Sequence, residues 1–73
     1  MTMALIIYTL SDCPVSQRAV RYLHHHSVEF IERQLDDDEL WQDEVLRLTH
    51  QNTVPVFVYD DGHVEIGFNG EKG

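Results

Sequence analysis

The sequence predicts one α/β domain over residues 1–73, with a four-stranded mixed sheet and the element order β-α-β-α-β-β. Three observations support this prediction. Short runs of β-branched and aromatic residues alternate with two amphipathic segments, and an Asp-Gly turn separates the last two runs. A chain of 73 residues has room for one small core. Because no linker, repeat or low-complexity tract interrupts the alternation, we expect a single domain.

The first half of the chain is predicted to form a strand, a helix and a second, parallel strand. Residues 4–8 are a continuous apolar run, which is typical of a central strand buried on both faces. Residues 14–25 are predicted to be a helix, because Pro14 suits a first helical position, where its missing N–H needs no partner. Residues 28–33 mix apolar and charged side chains and are predicted to form an edge strand. The helix stripe that packs on the sheet is predicted to contain Ala19, Val20 and Leu23, with Val15 or Ser16 one turn earlier.

The second half is predicted to form a helix and a hairpin. Residues 36–39 supply N-cap candidates and negative charge where a helix dipole has its positive end, and this helix continues to about Thr49. Residues 56–59 and 63–66 flank the turn 60–62, whose Asp-Gly pair is typical of antiparallel hairpins because both residue types accept positive φ. The predicted apolar face of the helix consists of Leu40, Val45, Leu46 and Leu48, with Trp41 nearby.

The charge of the chain limits the classes of partner. The formal net charge is -8, with acidic residues concentrated at 36–39, 43, 44, 60 and 61. Phosphate backbones and anionic membranes would be repelled, so we expect no nucleic-acid partner and no membrane partner, and we expect surfaces that carry Lys or Arg to be favoured. The apolar run at the start is far shorter than the roughly twenty residues of a membrane span.

The only cysteine, Cys13, stands at the start of the first predicted helix. A thiol at this position lies beside unpaired backbone N–H groups and the positive end of the helix dipole, which favour the thiolate. A single cysteine excludes an internal disulfide and a cysteine-rich zinc site, and it is typical of a reducing, cytoplasmic compartment. From the residues alone, Cys13 is either a reactive thiol or an inert buried cysteine.

Three motifs carry a resemblance to a known family. They are Tyr8-Thr9-x-x-x-Cys13-Pro14-x-Ser16, then Thr53-Val54-Pro55, and finally Gly67-Phe68 after the last strand. In this order, and with the predicted strands and helices, they resemble a glutaredoxin of the thioredoxin fold, and the resemblance covers almost the whole chain. It implies that Cys13 is a redox nucleophile.

The resemblance also implies which other residues form the site. The peptide bond before Pro55 would be cis, which places the Val54 N–H and C=O opposite the sulfur, where they can pair with an extended cysteine-containing peptide. Tyr8 would line the site, because its strand ends beside the active loop. The implied catalytic residues are Cys13, Pro14 and Ser16. The implied substrate-binding residues are Tyr8, Val15, Thr53, Val54, Pro55, Gly67 and Phe68.

Ser16 stands where dithiol members of the family carry a second cysteine. A hydroxyl cannot resolve a mixed disulfide, so the expected mechanism is monothiol: Cys13 forms a mixed disulfide, and an external thiol such as glutathione releases it. Ser16 could also donate a hydrogen bond to the thiolate. Its alternative explanations are a helix-surface serine and an engineered replacement that traps an intermediate.

Three departures from the family pattern leave the partner open. Leu10 occupies the position of a lysine that would pair with a glutathione carboxylate, and Asn69-Gly70 replaces an acidic pair. Asp12 lies next to the sulfur, where its charge opposes the thiolate. Glutathione as a co-substrate and a protein thiol or disulfide are therefore both expected partners, with no tightly bound cofactor. The alternative function is a non-catalytic one, as an iron–sulfur cluster carrier or a redox-sensitive binding module.

Two further expectations concern the histidines and the last residues. The triplet 24–26 does not favour a metal site, because consecutive helical residues point about 100° apart. The C-terminal helix of the family is expected to be short or absent. Its absence would leave Phe68, Val56 or Val58 and one side of the hairpin partly exposed, which predicts a homodimer that covers this patch.

Overall fold

The computed structural model describes residues 5–72 and confirms the predicted element order. The sheet order is β2-β1-β3-β4, with β1 parallel to β2 and antiparallel to β3, and with β3 antiparallel to β4. The first strand is therefore central and the second is at an edge, as predicted. Ala4, the predicted start of the first strand, lies outside the described residues. The elements are β1 (Ile6–Thr9), α1 (Pro14–His25), β2 (Ile31–Gln34), α2 (Glu39–Thr49), β3 (Val56–Val58) and β4 (Val64–Ile66).

The second strand begins later than residue 28, where the sequence predicted it. Ser27 has a positive φ of 54°, and the Val28 N–H donates to the Leu23 carbonyl at 3.0 Å. The residues after the last turn of α1 thus close the helix by pairing with its free carbonyls. Because Val28 is used in this way, the ladder with β1 starts only at Ile31.

The two helices cover opposite faces of the sheet. Successive residues of a strand point to opposite faces, and in β1 Ile7 and Tyr8 belong to different clusters of buried residues. The α1-side cluster contains Leu5, Ile7, Ala19, Leu23 and Phe57. The α2-side cluster contains Tyr8, Cys13, Leu35, Val45, Val54 and Val56, with Trp41 packed against it. Cys13 therefore precedes α1 in the chain but packs in the core beneath α2.

The buried face of α2 differs from the predicted one. Val45 and Thr49 are buried and Trp41 is half-buried, so the face that meets the sheet recurs every four residues. Leu46 was assigned to this face by its apolar character, but its side chain is 51% exposed because it lies one residue, about 100°, beyond Val45. Leu40 and Leu48 are exposed as well. At the start of the helix, the Asp38 carboxylate accepts the Leu40 N–H at 2.9 Å, which identifies the N-cap among the predicted candidates.

The hairpin forms as predicted and is followed by a tight turn. Gly62 has φ +91° in the loop between β3 and β4. After β4, residues 67–72 contain no helix, and Phe68 bridges to Glu71 instead. Val56 is buried and Val58 is half-buried, so the exposed patch expected along the hairpin does not include Val56. Neither helix within residues 5–72 has the length and apolar character to cross a lipid bilayer.

Candidate active site around Cys13

Cys13 is held at the junction between the loop after β1 and the first turn of α1. It is the N-cap residue of α1, with an extended backbone, and its N–H donates to the Leu10 carbonyl at 3.2 Å. Its carbonyl accepts the Gln17 N–H at 3.0 Å, so the helix begins directly at the cysteine. Pro14 occupies the next position and supplies no N–H there. Cys13 forms no disulfide, and the residue is 8% exposed within the α2-side cluster.

Opposing influences act on the sulfur, and the balance favours the thiolate. Burial is the largest influence and raises the pKa of the Cys13 thiol, and the Asp12 charge raises it further. Hydrogen bonds from the Ser16 N–H, the Ser16 hydroxyl and the Val15 N–H lower it, and together they leave the pKa below its ordinary value. Backbone N–H groups of a first helical turn are the donors that the sequence predicted for this thiol. The opposing charge of Asp12 was predicted as well.

Ser16 lies inside the protein and is not a helix-surface serine. It is 1% exposed and belongs to the buried stripe of α1, where Val15 is only half-buried. Its hydroxyl donates to the Cys13 sulfur, and it accepts the Leu10 N–H over a long 3.4 Å. The hydroxyl thus contacts both the loop before Cys13 and the sulfur. The position that would carry a second thiol in a dithiol protein here carries a hydrogen-bond donor.

The Thr53-Val54-Pro55 segment lies against the same cluster. The Val54–Pro55 bond is cis, as the resemblance implied, and both residues are buried. Val54 packs with Cys13 in the α2-side cluster and lies outside both ladders of β3. Thr53 is 9% exposed, and its buried hydroxyl has no hydrogen-bond partner among the described residues. An unpaired buried hydroxyl is uncommon in a folded protein.

A groove of about 270 Å³ extends from this segment. All of its lining residues are uncharged, and two of them, Leu35 and Val54, belong to the cluster that contains Cys13. The Gln42 amide donates to the Leu35 carbonyl at 2.9 Å, which holds one side of the groove in place. The lining residues are Leu10, Leu35, Gln42, Asn52, Thr53 and Val54. We call this feature the neutral groove.

Tyr8 is part of the cluster around Cys13, but its hydroxyl is engaged elsewhere. It is 3% exposed, donates to the Glu44 carboxylate at 2.6 Å and accepts from Arg33 at 3.0 Å. Burial, followed by the Glu44 hydrogen bond, raises the pKa of the Tyr8 hydroxyl. Arg33 also pairs with Glu44 at 3.1 Å, so this triad ties β1, β2 and α2 together. Sequence reasoning missed the triad, because Tyr8 and Glu44 are 36 positions apart and no local pattern relates them.

The last predicted pair, Gly67-Phe68, is divided between two places. The Gly67 N–H donates to the Pro55 carbonyl at 2.8 Å, so Gly67 supports the cis-proline loop. Its φ is +88°, and a Cβ there would lie 2.7 Å from the Glu71 carbonyl oxygen, so the turn requires glycine. Phe68 instead packs against the α1-side cluster, with its ring 5.4 Å from that of Tyr22. The structure therefore does not bring Phe68 into the cluster of Cys13.

Carboxylates border the loop that carries Cys13. The Ser11 hydroxyl donates to the Asp36 carboxylate at 2.5 Å, and this hydrogen bond lowers the pKa of Asp36. Asp36 directly follows Leu35, which lines the neutral groove, and Asp12 adjoins Cys13. We call Asp12 and Asp36 the acidic rim. Asp36 was predicted only as an N-cap candidate, and its pairing with Ser11 across 25 positions left no sequence signal.

The histidine triplet takes part in aromatic packing. The His24 ring lies 5.1 Å from that of Phe30, and the His26 ring lies 4.3 Å from that of Tyr22. Within residues 5–72, no three His, Cys, Asp or Glu side chains are grouped so that they could hold a metal ion.

Comparisons with known proteins agree with this geometry. Residues 5–64 match the family model described as glutaredoxin. A protein of Clostridium pasteurianum, described as an uncharacterized glutaredoxin-like 8.6 kDa protein in the rubredoxin operon, is 32% identical over 63 residues, which are 86% of this chain and 83% of that protein. The crystal structure of a glutaredoxin from Archaeoglobus fulgidus has a TM-score of 0.80 at 26% identity, covering 89% of this chain and 75% of that chain. The thioredoxin-like protein BC3987 has a TM-score of 0.78 at 28% identity, covering 89% and 88%.

Proposed function

Because this chain belongs to the glutaredoxin family, we propose that it is a thiol–disulfide oxidoreductase that works through Cys13 alone. The observation that carries the proposal is the environment of the sulfur: a free thiol at a helix start, with its pKa lowered by the Ser16 and Val15 hydrogen bonds against the effect of burial. The thiolate is the nucleophile in disulfide exchange, so these donors increase the reactive fraction of the thiol.

The proposed reaction has two exchanges. The Cys13 thiolate attacks one sulfur of a substrate disulfide, a new S–S bond forms to Cys13, and the other substrate sulfur leaves with the electron pair as a thiolate. An external thiol, either glutathione or a protein thiol, then attacks the mixed disulfide as its thiolate. The released Cys13 thiolate completes the cycle, and the external thiol ends oxidised. Ser16 contributes a hydrogen bond to the charged sulfur and cannot itself break the mixed disulfide.

The surroundings of Cys13 have separate proposed roles. Pro14 starts the helix so that the Val15 and Ser16 N–H groups face the sulfur. The Thr53-Val54-Pro55 segment lies beside the cluster of Cys13 and presents the backbone of Val54, which is free of the sheet ladders, to an extended substrate. Reduction of protein disulfides and removal of glutathione from proteins are both reactions of this type. The reducing cytoplasm is the proposed compartment, because an external thiol must regenerate Cys13.

The experiment that tests the proposal detects the mixed disulfide directly. The wild-type protein and the variant Cys13→Ala are incubated with a glutathionylated peptide, and intact mass is measured before and after addition of glutathione. The wild type is expected to gain an adduct that glutathione removes, with the peptide thiol released in equal amount. The variant is expected to gain none. Absence of an adduct on folded wild-type protein at pH 8 would overturn the proposal.

A further inference from the structure

We infer that the preferred substrate is a protein disulfide whose cysteine is flanked by lysine or arginine, bound with its chain in the neutral groove and its cationic side chain on the acidic rim. The inference rests on the proposed function, because it assigns the substrate class of the same site. It concerns the uncharged groove next to Val54 and two carboxylate residues that adjoin this region in the chain: Asp36 follows Leu35 of the groove lining, and Asp12 precedes Cys13.

The lining of the groove suits a peptide chain better than a charged end group. None of its lining side chains is charged, so the terminal carboxylate of a small peptide such as glutathione would find hydrogen-bond donors there but no cationic partner. The amides of Gln42 and Asn52 and the unpaired hydroxyl of Thr53 offer both donors and acceptors, which complement backbone amides and neutral polar side chains. The lining therefore suits a substrate polypeptide that extends beyond its reacting cysteine.

The orphaned Thr53 hydroxyl is the independent sign that the groove receives a ligand. The residue is more than nine-tenths buried, lines the groove, and has no hydrogen-bond partner within the described chain. A buried polar group without a partner is destabilising, so such a group persists mainly where another molecule supplies the partner. A substrate amide in the groove would supply it after a rotation of the Thr53 side chain.

The acidic rim determines the charge that a bound chain should carry. Asp36 stays ionised because the Ser11 hydroxyl holds its carboxylate, and Asp12 carries its charge close enough to the sulfur to oppose the thiolate. A cationic substrate residue placed between these carboxylates and Cys13 would offset that opposition. Binding of such a substrate would then favour the reactive thiolate as well as the complex.

The charge of the whole chain acts in the same direction. A net charge of -8 attracts cationic protein surfaces over long range and repels glutathione, which is itself net negative at neutral pH. Long-range attraction raises the rate of encounter and is weakened by salt. The preference for cationic peptides should therefore be largest at low ionic strength.

The test uses two peptides that differ only beside the cysteine, with Lys-Cys-Lys in one and Glu-Cys-Glu in the other, each as a mixed disulfide with the same small thiol. The rate of the first exchange is measured by release of that thiol from single-turnover mixtures at low and high salt. Each rate is divided by the rate at which free cysteine exchanges with the same peptide. After this normalisation, the Lys peptide is expected to react faster at low salt, by about two- to fivefold for each pair that forms between a lysine and a carboxylate of the acidic rim. The ratio should fall toward one in high salt.

Matched variants assign the preference to the rim and the groove. Asp36→Asn keeps the acceptor for Ser11 and should lower the ratio of the Lys-peptide rate to the Glu-peptide rate. Asp60→Asn makes the same charge change at the exposed hairpin turn and should leave most of this preference for the Lys peptide. Thr53→Val keeps the side-chain shape, and it should slow both peptides with their ratio unchanged.

Failure of the inference and failure of the proposed function give different results. Equal normalised rates for the two peptides at low salt, or equal loss of preference in the two aspartate variants, would overturn the inference while leaving Cys13 an exchanging thiol. Unchanged rates in Thr53→Val would show that the Thr53 hydroxyl does not bind the substrate, and would contradict the part of the inference that places the chain in the neutral groove. If neither peptide disulfide reacts with Cys13, the proposed function itself falls, and the inference with it.

Discussion

Replacing Ser16 by alanine is expected to raise the pKa of Cys13 and to slow its reaction at pH values below that pKa. The Ser16 hydroxyl donates to the sulfur in the folded protein, and this hydrogen bond opposes the larger effect of burial, which raises the pKa. In the variant Ser16→Ala the backbone donors at positions 15 and 16 remain, because they belong to the helix itself. The prediction therefore isolates one side-chain hydrogen bond to the thiolate.

The magnitude follows from the position of this hydrogen bond. A hydrogen bond to a charged group contributes about 1.5–3 kcal/mol, and because the two backbone donors continue to stabilise the sulfur, we expect the loss to be about 1 kcal/mol. At pH values below the pKa of both proteins, the thiolate population then falls about fivefold. The remaining thiolate is more basic, and with a Brønsted coefficient of about 0.45 it is intrinsically about twofold more nucleophilic. The net rate at pH values below the pKa of both proteins should fall about two- to threefold.

The two effects predict a crossover, which the rate of alkylation by iodoacetamide can detect. In a profile from pH 5 to 10, the wild type should react faster at pH values below the pKa of both proteins. Above the pKa of both proteins, Ser16→Ala should react about twofold faster, because its thiolate is fully formed and more basic. Gln17→Ala serves as the control on the same helix, since its exposed side chain bonds the Ser11 carbonyl and not the sulfur.

One result would refute this reasoning. If the pH–rate profiles of the wild type and Ser16→Ala superimpose, while circular dichroism shows both folded, the Ser16 hydroxyl does not stabilise the thiolate. A uniform loss of rate at every pH, without crossover, would equally contradict it, because that pattern indicates a blocked sulfur and not a shifted pKa.

Two further predictions concern the core and the Tyr8 triad. On α2, replacing the buried Val45 by alanine should lower the free energy of unfolding by about 2 kcal/mol. Leu46→Lys, at the next and exposed position, should change it by less than about 0.5 kcal/mol. Equal losses in urea unfolding would contradict the observed helix face. For Tyr8, burial and then Glu44 raise the hydroxyl pKa, so the folded state favours the neutral form. The contribution of the neutral Tyr8 hydroxyl to stability should therefore be fully present below about pH 10 and be lost as the pH rises above it. Tyr8→Phe, measured by urea unfolding from pH 9 to 11, should show a shallower decline, and parallel curves would exclude this role of Tyr8.

The parts of the fold that sequence predicted are those with a strong local cause. Pro14 fixes a helix start because of its own covalent geometry, and Asp61-Gly62 permits a turn that few other pairs allow. Leu46 shows where this kind of reasoning failed. The apolar character of a side chain does not by itself show whether that side chain faces the sheet. The helix packs on the sheet through Trp41, Val45 and Thr49, which leaves Leu46 exposed.

The candidate site shows the same division. The placement of Cys13, Val54 and the cis Pro55 in one region followed from motifs whose geometry is local. The pairing of Ser11 with Asp36 could not be predicted, because it depends on how the loop after β1 meets the loop after β2. The position of Phe68 is a similar case: the turn at Gly67 directs its ring to the α1 side, a direction that no neighbouring residue specifies.

The packing of Trp41 has an optical consequence. It is the only tryptophan of the chain, and it lies against the cluster that contains Cys13, with the Arg33 guanidinium 5.9 Å from its ring centre. Indole emission responds to charge and to sulfur in its surroundings. Because its single tryptophan packs against the same cluster as its single thiol, we expect the indole emission of the unlabelled protein to change when Cys13 ionises or forms a disulfide, which would let the exchange steps be followed in real time.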